Sequence, residues 1–183
     1  MKASWKTFKT LVATTDLPGL GSEPRTSRKS LSELDPLVER FLTDVGVARP
    51  VQPALRAAAL LWHDYLDESH RISQGIGTPD GSFLHGIMHR REPDYGNAKY
   101  WFHRVGVHPC FRAIAEQSGH FLSEREESSL VTQLIPGGRW DAFAFIDACE
   151  AAAPLPPGDR RVQSLRRLQE IEFDCLLFHL LGA

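Results

Sequence analysis

His85 and His89, four residues apart, and the carboxylate of Glu92 three residues further on make up a concentrated set of metal-ligating groups. On a helix, imidazoles at i and i+4 project from one face and can share one ion. Glu92 falls near that face if the helix extends to it. Two histidines with one carboxylate suit zinc, iron or manganese and leave positions open for water. The glutamate that zinc proteases carry beside the first histidine is absent, which excludes the HExxH version of this chemistry. On this reading His85 and His89 are the metal ligands, His70 or Glu92 supplies a third, and His70, Glu92 and Asp94 are candidate catalytic groups.

Most of the eight histidines lie between Trp62 and Phe111. His63, Asp67, His70 and Gln74 share a narrow arc if one helix runs from Pro53 to Gln74. Packed against a helix over Pro79–Arg91, that arc would bring further imidazoles to His85 and His89, with carboxylates orienting them from outside. The same polar stripe is also what a solvated helix face looks like.

A basic and aromatic run follows, with Arg90, Arg91, Lys99, His103 and Arg104 interleaved with Tyr95, Tyr100 and Trp101. Adjacent guanidinium groups can clasp a carboxylate or phosphate bidentately, and aromatic faces can stack on a ligand. Gln74, Arg90, Arg91, Asn97, Lys99, Tyr100, Arg104 and His108 are therefore the candidate substrate-binding residues. The competing reading is an internal network in which the arginines pin the Arg91–Asp94 turn through Glu92 and Asp94. The sequence leaves both open.

The block from His85 to Pro109 resembles a family of uncharacterised proteins sharing the pattern HxIMHRREPDYxNAKYWFRRVGxHP. In that family it is preceded by Asp/Glu-x-His-x-Ile-x-Gln, here Glu68-Ser69-His70-Arg71-Ile72-Ser73-Gln74. The resemblance spans roughly residues 60–112. It implies a shared set of His70, Gln74, His85, His89, Arg90, Arg91, Glu92, Asp94, Asn97, Lys99, Tyr100, Arg104 and His108, and it brings no reaction with it. His103 stands where the family pattern has arginine, which makes His103 a poor choice of ligand. His63-Asp64 is also similar to the His-Asp pair of the HD phosphohydrolases, but those sites need an earlier histidine and none precedes position 63.

Helical periodicity dominates the rest. Leu34, Leu37, Val38, Phe41, Leu42 and Val45 recur at helical spacing before Gly46, and Val162, Leu165, Leu168, Ile171, Cys175 and Phe178 do the same near the end. Thr78-Pro79 and Asp94 read as helix starts, and Pro93 as a stop. Leu130–Ile135 fits a short strand or one helical turn, and Ser123 with Glu126 forms a weak capping box. The expectation is an all-α, single-domain bundle of about six to seven helices over residues 31–183, with residues 1–30 as an irregular N-terminal arm that holds one short ordered piece near Trp5–Val12. Its Arg25, Arg28 and Lys29 read as solvated.

The chain has 183 residues and a formal net charge of -2, which argues against a nucleic-acid or membrane-surface partner. The three cysteines, Cys110, Cys149 and Cys175, are scattered through apolar runs and read as buried thiols rather than a disulfide framework. No secretory leader is evident and no serine sits in a GxSxG elbow, so a cytoplasmic protein without a Ser–His hydrolase site is expected. The leading functional expectation is a metal-dependent hydrolase using zinc, iron or manganese on a small anionic molecule. The alternatives are a metal-free module for a phosphorylated or carboxylated ligand, and a structural protein with a buried polar network. No organic cofactor is expected.

Overall fold

The computed structural model describes residues 5–182. In chain order its helices are α1 (Trp5–Val12), α2 (Leu31–Val45), α3 (Gln52–Trp62), α4 (Leu66–Ser73) and α5 (Pro79–Arg91), followed by α6 (Tyr95–Val105), α7 (Cys110–Glu124), α8 (Ser128–Leu134), α9 (Ala142–Ala152) and α10 (Arg160–Leu180). A single 3₁₀ turn covers Pro136–Gly138. No strand occurs among the described residues, and the all-α expectation holds. None of these helices is long and apolar enough to cross a membrane.

Cap chemistry sets several of the boundaries. Ser30 and Glu33 form a reciprocal capping box at the start of α2. The Thr78 side chain accepts from the Gly81 amide, with Pro79 at the first helical position of α5. The Asp94 carboxylate accepts from the Asn97 amide at the start of α6. α5 ends at Arg91, with Glu92 at φ -80°, ψ 15° just before Pro93 and its amide still bonded to the Met88 carbonyl.

α5 is the axis of the molecule. Every residue from Gly81 to Arg91 is buried, so the helix has no solvent face and its polar side chains must find partners inside. α3, α4 and α6 pack around it. The approach of α6 depends on Gly86, because a Cβ there would lie 2.7 Å from Cδ2 of Phe102.

Three features depart from the sequence reading. The single helix expected over Pro53–Gln74 is two, α3 and α4, broken at His63-Asp64-Tyr65. The Tyr65 amide donates to the Leu60 carbonyl and the Asp64 amide to the Leu61 carbonyl, with Asp64 left-handed at φ 62°. This is a Schellman stop with aspartate where glycine is usual. Glu126 does the same after α7, at φ 57°, so Ser123 and Glu126 close a helix instead of opening one. Leu130–Ile135 falls mostly within helix α8, and the described residues form ten helices.

The short ordered piece expected near Trp5–Val12 is helix α1, and the third departure is how closely the N-terminal segment docks. Phe8 and Val12 of α1 are fully buried, and Phe8 meets Phe41 edge-on at 5.0 Å. Arg25 is not solvated but inserted between the Asp64 carboxylate and the Trp62 carbonyl. Burying two large apolar side chains contributes roughly 3–6 kcal/mol, enough to bind the segment to the bundle.

Gly86→Ala is expected to cost about 1–3 kcal/mol by overpacking against Phe102, although alanine favours helix by about 1 kcal/mol. Urea unfolding of Gly86→Ala alone and in a Phe102→Leu background checks this. The cost should shrink in the double variant, and a neutral Gly86→Ala would show that the α5–α6 contact has slack.

Candidate metal centre

α4 and α5 bring His70 beside His85 and His89. The His70 ring centroid lies 4.6 Å from that of His85 and 5.2 Å from that of His89, and the two α5 imidazoles stack at 4.8 Å. Each of the three offers a nitrogen within 4.8 Å of the others. Tetrahedral zinc with Zn–N bonds of ~2.0–2.1 Å holds its nitrogens about 3.4 Å apart, so the trio must draw together to grip an ion.

His85 and His89 are buried and His70 is half-buried. Neither ring nitrogen of His85 has a hydrogen-bond partner. A buried imidazole normally satisfies at least one nitrogen, so both nitrogens of His85 are free of protein partners where an ion could be held. Burial first, then His89 and His70, push the pKa of His85 down to about 4. Burial likewise lowers His89, against the pull of Glu92. Both rings are thus neutral near pH 7, the state a metal ligand needs.

Around the trio, Glu92 Oε2 lies 3.2 Å and Asp94 Oδ2 3.9 Å from Nδ1 of His89. A carboxylate at Nδ1 holds the proton there, and the Nε2 lone pair then accepts from the Asn97 amide nitrogen 3.2 Å away, a bond that an ion at Nε2 would replace. Trp101 stacks on His85 with centroids 3.8 Å apart, and the Arg104 guanidinium lies 5.3 Å from the Trp101 ring centroid. The sequence reading missed Trp101 as part of this site. Its signal is the sixteen-residue spacing that crosses the α5–α6 turn, which no local pattern reports.

Other candidates are placed elsewhere. Arg90 and Arg91 do not form an anion clasp. Arg90 pairs with Glu172 of α10 at 2.6 and 3.2 Å and reaches Gln169 at 3.3 Å, with its guanidinium 4.4 Å from the Phe145 ring centroid. Arg91 donates to Asp64 and to the Leu61 carbonyl, each at 2.6 Å. Both side chains are fully buried and already neutralised, and neither uses Glu92 or Asp94. Burial pushes the Asp64 carboxyl up, but Arg91 and Arg25 outweigh it and hold it below the usual range.

The break at Asp64 also dissolves the expected stripe. His63 accepts the Lys29 amide proton at Nδ1, on the side of the N-terminal segment, while Asp67 and Gln74 are exposed. Lys99 pairs with Asp147, and Tyr100 is exposed. His108 belongs to a second group with Asp80 and His179. There its Nδ1 accepts the Cys110 amide proton and its Nε2 lies 3.0 Å from Asp80 Oδ1. With Nδ1 so engaged, the neutral ring carries its proton on Nε2 and donates to Asp80, which makes this a hydrogen-bonded pair and not a ligand set. Burial pushes the thiols of Cys110, Cys149 and Cys175 up to about 12, which leaves them inert as nucleophiles.

Comparisons of the chain with protein-family models, with curated proteins and with solved structures find no match.

Two predictions follow from these environments. Asp64→Ala strands the Arg91 charge inside the protein and should cost roughly 3–5 kcal/mol, far more than an exposed carboxylate such as Glu68→Ala; chemical denaturation of both variants measures the difference. For His63, burial first, then Lys29 and Arg25, lower the pKa from 6.5 to about 4. The unfolded chain therefore binds a proton that the native state refuses between those values. The His63 contribution is complete above pH 6.5, falls as the pH drops towards 4, and changes no further below that. Stability of the wild type and of His63→Asn, measured from pH 8 down to 4, should converge across this window; parallel curves would refute the assignment.

Proposed function

We propose that the protein is a metal-dependent hydrolase in which His70, His85 and His89 hold a divalent transition metal, zinc, iron or manganese, and act on a small anionic substrate. The observation that carries this reading is the buried His85 ring, whose two nitrogens have no partner while two further imidazoles converge on it. A metal held by these three imidazoles would lower the pKa of a bound water to about 7 and so supply a hydroxide nucleophile.

The protein's own groups have distinct tasks. Glu92 would orient His89 through Nδ1, 3.2 Å from its carboxylate. Asp94 caps α6 and adds negative charge beside the same ring. Trp101 covers His85, and the half-buried His70, Asn97 and Trp101 form the side open to solvent. With Arg90 and Arg91 committed inside, the cation left beside this rim is Arg104, stacked over Trp101. That burial weighs against a metal-free module built on an arginine pair, and it assigns those two arginines the structural role that the sequence left open.

Elemental analysis of the purified protein, beside a His85→Ala/His89→Ala variant and with thermal unfolding of both, tests the proposal. A near-stoichiometric transition metal, lost from a variant that still melts cooperatively, is the expected result. His70→Ala should abolish tight binding, whereas Glu92→Gln should weaken it about 10–100-fold. Saturating metal should raise the melting temperature of the wild type alone, the equivalent of about 2.7 kcal/mol at a hundred times Kd. No bound metal after incubation with zinc, manganese and iron would sink the reading.

A further inference from the structure

Among the described residues, α1, α7 and the last turns of α10 border a cavity of about 800 Å³ that shares no lining residue with the histidine trio. Its volume is that of a small-molecule site. Helical spacing builds two of its walls. Cys110, Ala113 and Gln117 lie along one face of α7, and Cys175, Phe178 and His179 along one face of α10. Trp5 of α1 forms the third side.

Two independent observations describe the occupant this cavity suits. The first is an aromatic corner. Trp5 meets Phe178 edge-on at 6.3 Å, and Phe178 is 47% exposed. A flat apolar body lying against this pair would take it out of water. The second is a histidine held in one tautomer. His108 donates to Asp80 Oδ1, and His179 Nε2 lies 3.2 Å from the same oxygen. The hydrogen bond from His108, against burial and with the charge of His179, holds the Asp80 carboxyl below its usual range, so it is ionised and only accepts. The neutral His179 ring therefore carries its proton on Nε2 and keeps an open lone pair on Nδ1. Its side chain is 37% exposed and lines the cavity.

The other polar groups that α7 and α10 bring here accept or are already engaged. Gln117 Nε2 donates to Cys175 Sγ at 3.4 Å, which leaves its carbonyl oxygen. The Cys110 thiol donates to the Cys175 carbonyl at 3.3 Å, and Asp174 is tied to Lys9 at 2.5 Å. A ligand carboxylate would find no open donor on these two helices and would lie near Asp80 and Asp174. The exposed Lys6 ammonium, 5.9 Å from the Trp5 ring centroid, is the cation on the α1 side. We propose that this cavity binds a small neutral phenol, its hydroxyl donating to Nδ1 of His179 and its ring lying against Trp5 and Phe178. The site is separate from the metal centre and does not depend on it.

The probe is p-cresol. The controls are p-xylene, which replaces the hydroxyl by a methyl group, and p-toluate, which replaces it by a carboxylate. The readout is the set of imidazole C–H resonances of ¹³C-labelled protein, with the His179 signal assigned by its loss in His179→Phe, and calorimetric titration alongside. The expected result is a saturable shift of the His179 resonance with p-cresol. Affinity should fall about tenfold or more in His179→Phe and for p-xylene, the loss of one hydrogen bond. It should also fall in Phe178→Ala, and since both residues are exposed, either variant keeps the test valid if the other fails to fold. No saturable shift, unchanged affinity in both variants, or p-xylene binding as tight as p-cresol would overturn the proposal. Tighter binding of p-toluate would show that Lys6 selects an anion and would overturn the neutral phenol.

Discussion

Asp64 accepts from two guanidinium groups at once, Arg91 at 2.6 Å and Arg25 at 2.8 Å, and much of the molecule depends on that contact. The carboxylate sits at the residue that ends α3, so one side chain ties the α3–α4 turn to the end of α5 and to the N-terminal segment. Its left-handed backbone costs roughly 1 kcal/mol relative to glycine, and the two buried charge-assisted bonds offset this. With a helix continuing through position 64, α4 would leave along the axis of α3. The stop turns α4 so that His70 meets the α5 histidines.

A second pairing completes the frame. Arg90 and Glu172 join α5 to α10 in a setting where neither side chain reaches water. Adjacent residues of one helix thus carry charge in opposite directions, Arg90 towards α10 and Arg91 towards the α3–α4 turn. This fixes the rotation of α5 about its axis, and the rotation decides where His85 and His89 point. Both arginines therefore act on the histidine site through the orientation of the helix, without facing a ligand themselves.

Elements bounded by residue types with a single local meaning were legible in the sequence. Gly46, Thr78-Pro79 and Asp94 all stop or start helices as their chemistry dictates. Asp64 and Glu126 were not legible, because neither residue type ordinarily takes a left-handed stop, and at Asp64 it is the bonds to Arg25 and Arg91 that hold it. The pairing of His85 with His89 follows from spacing on one helix, but the third imidazole depends on how two helices cross. The arginine pair shows the same limit. A sequence displays two adjacent cations but not which carboxylates meet them, and Glu172 stands 82 positions from its partner.

The N-terminal segment has a kinetic consequence. Its ties include the longest in sequence among the described residues: Lys9 to Asp174 across 165 residues, and Arg166 and Gln169 to the carbonyls of Pro18 and Gly19 across 148 and 150. The contacts among α3, α4, α5 and α6 are local by comparison and can form early, while closing the longer loops carries the greater entropic penalty. The segment therefore docks late and leaves early. Its anchoring residues chiefly govern how long the native protein lasts before it opens, and the rate of folding is set within the helices around α5.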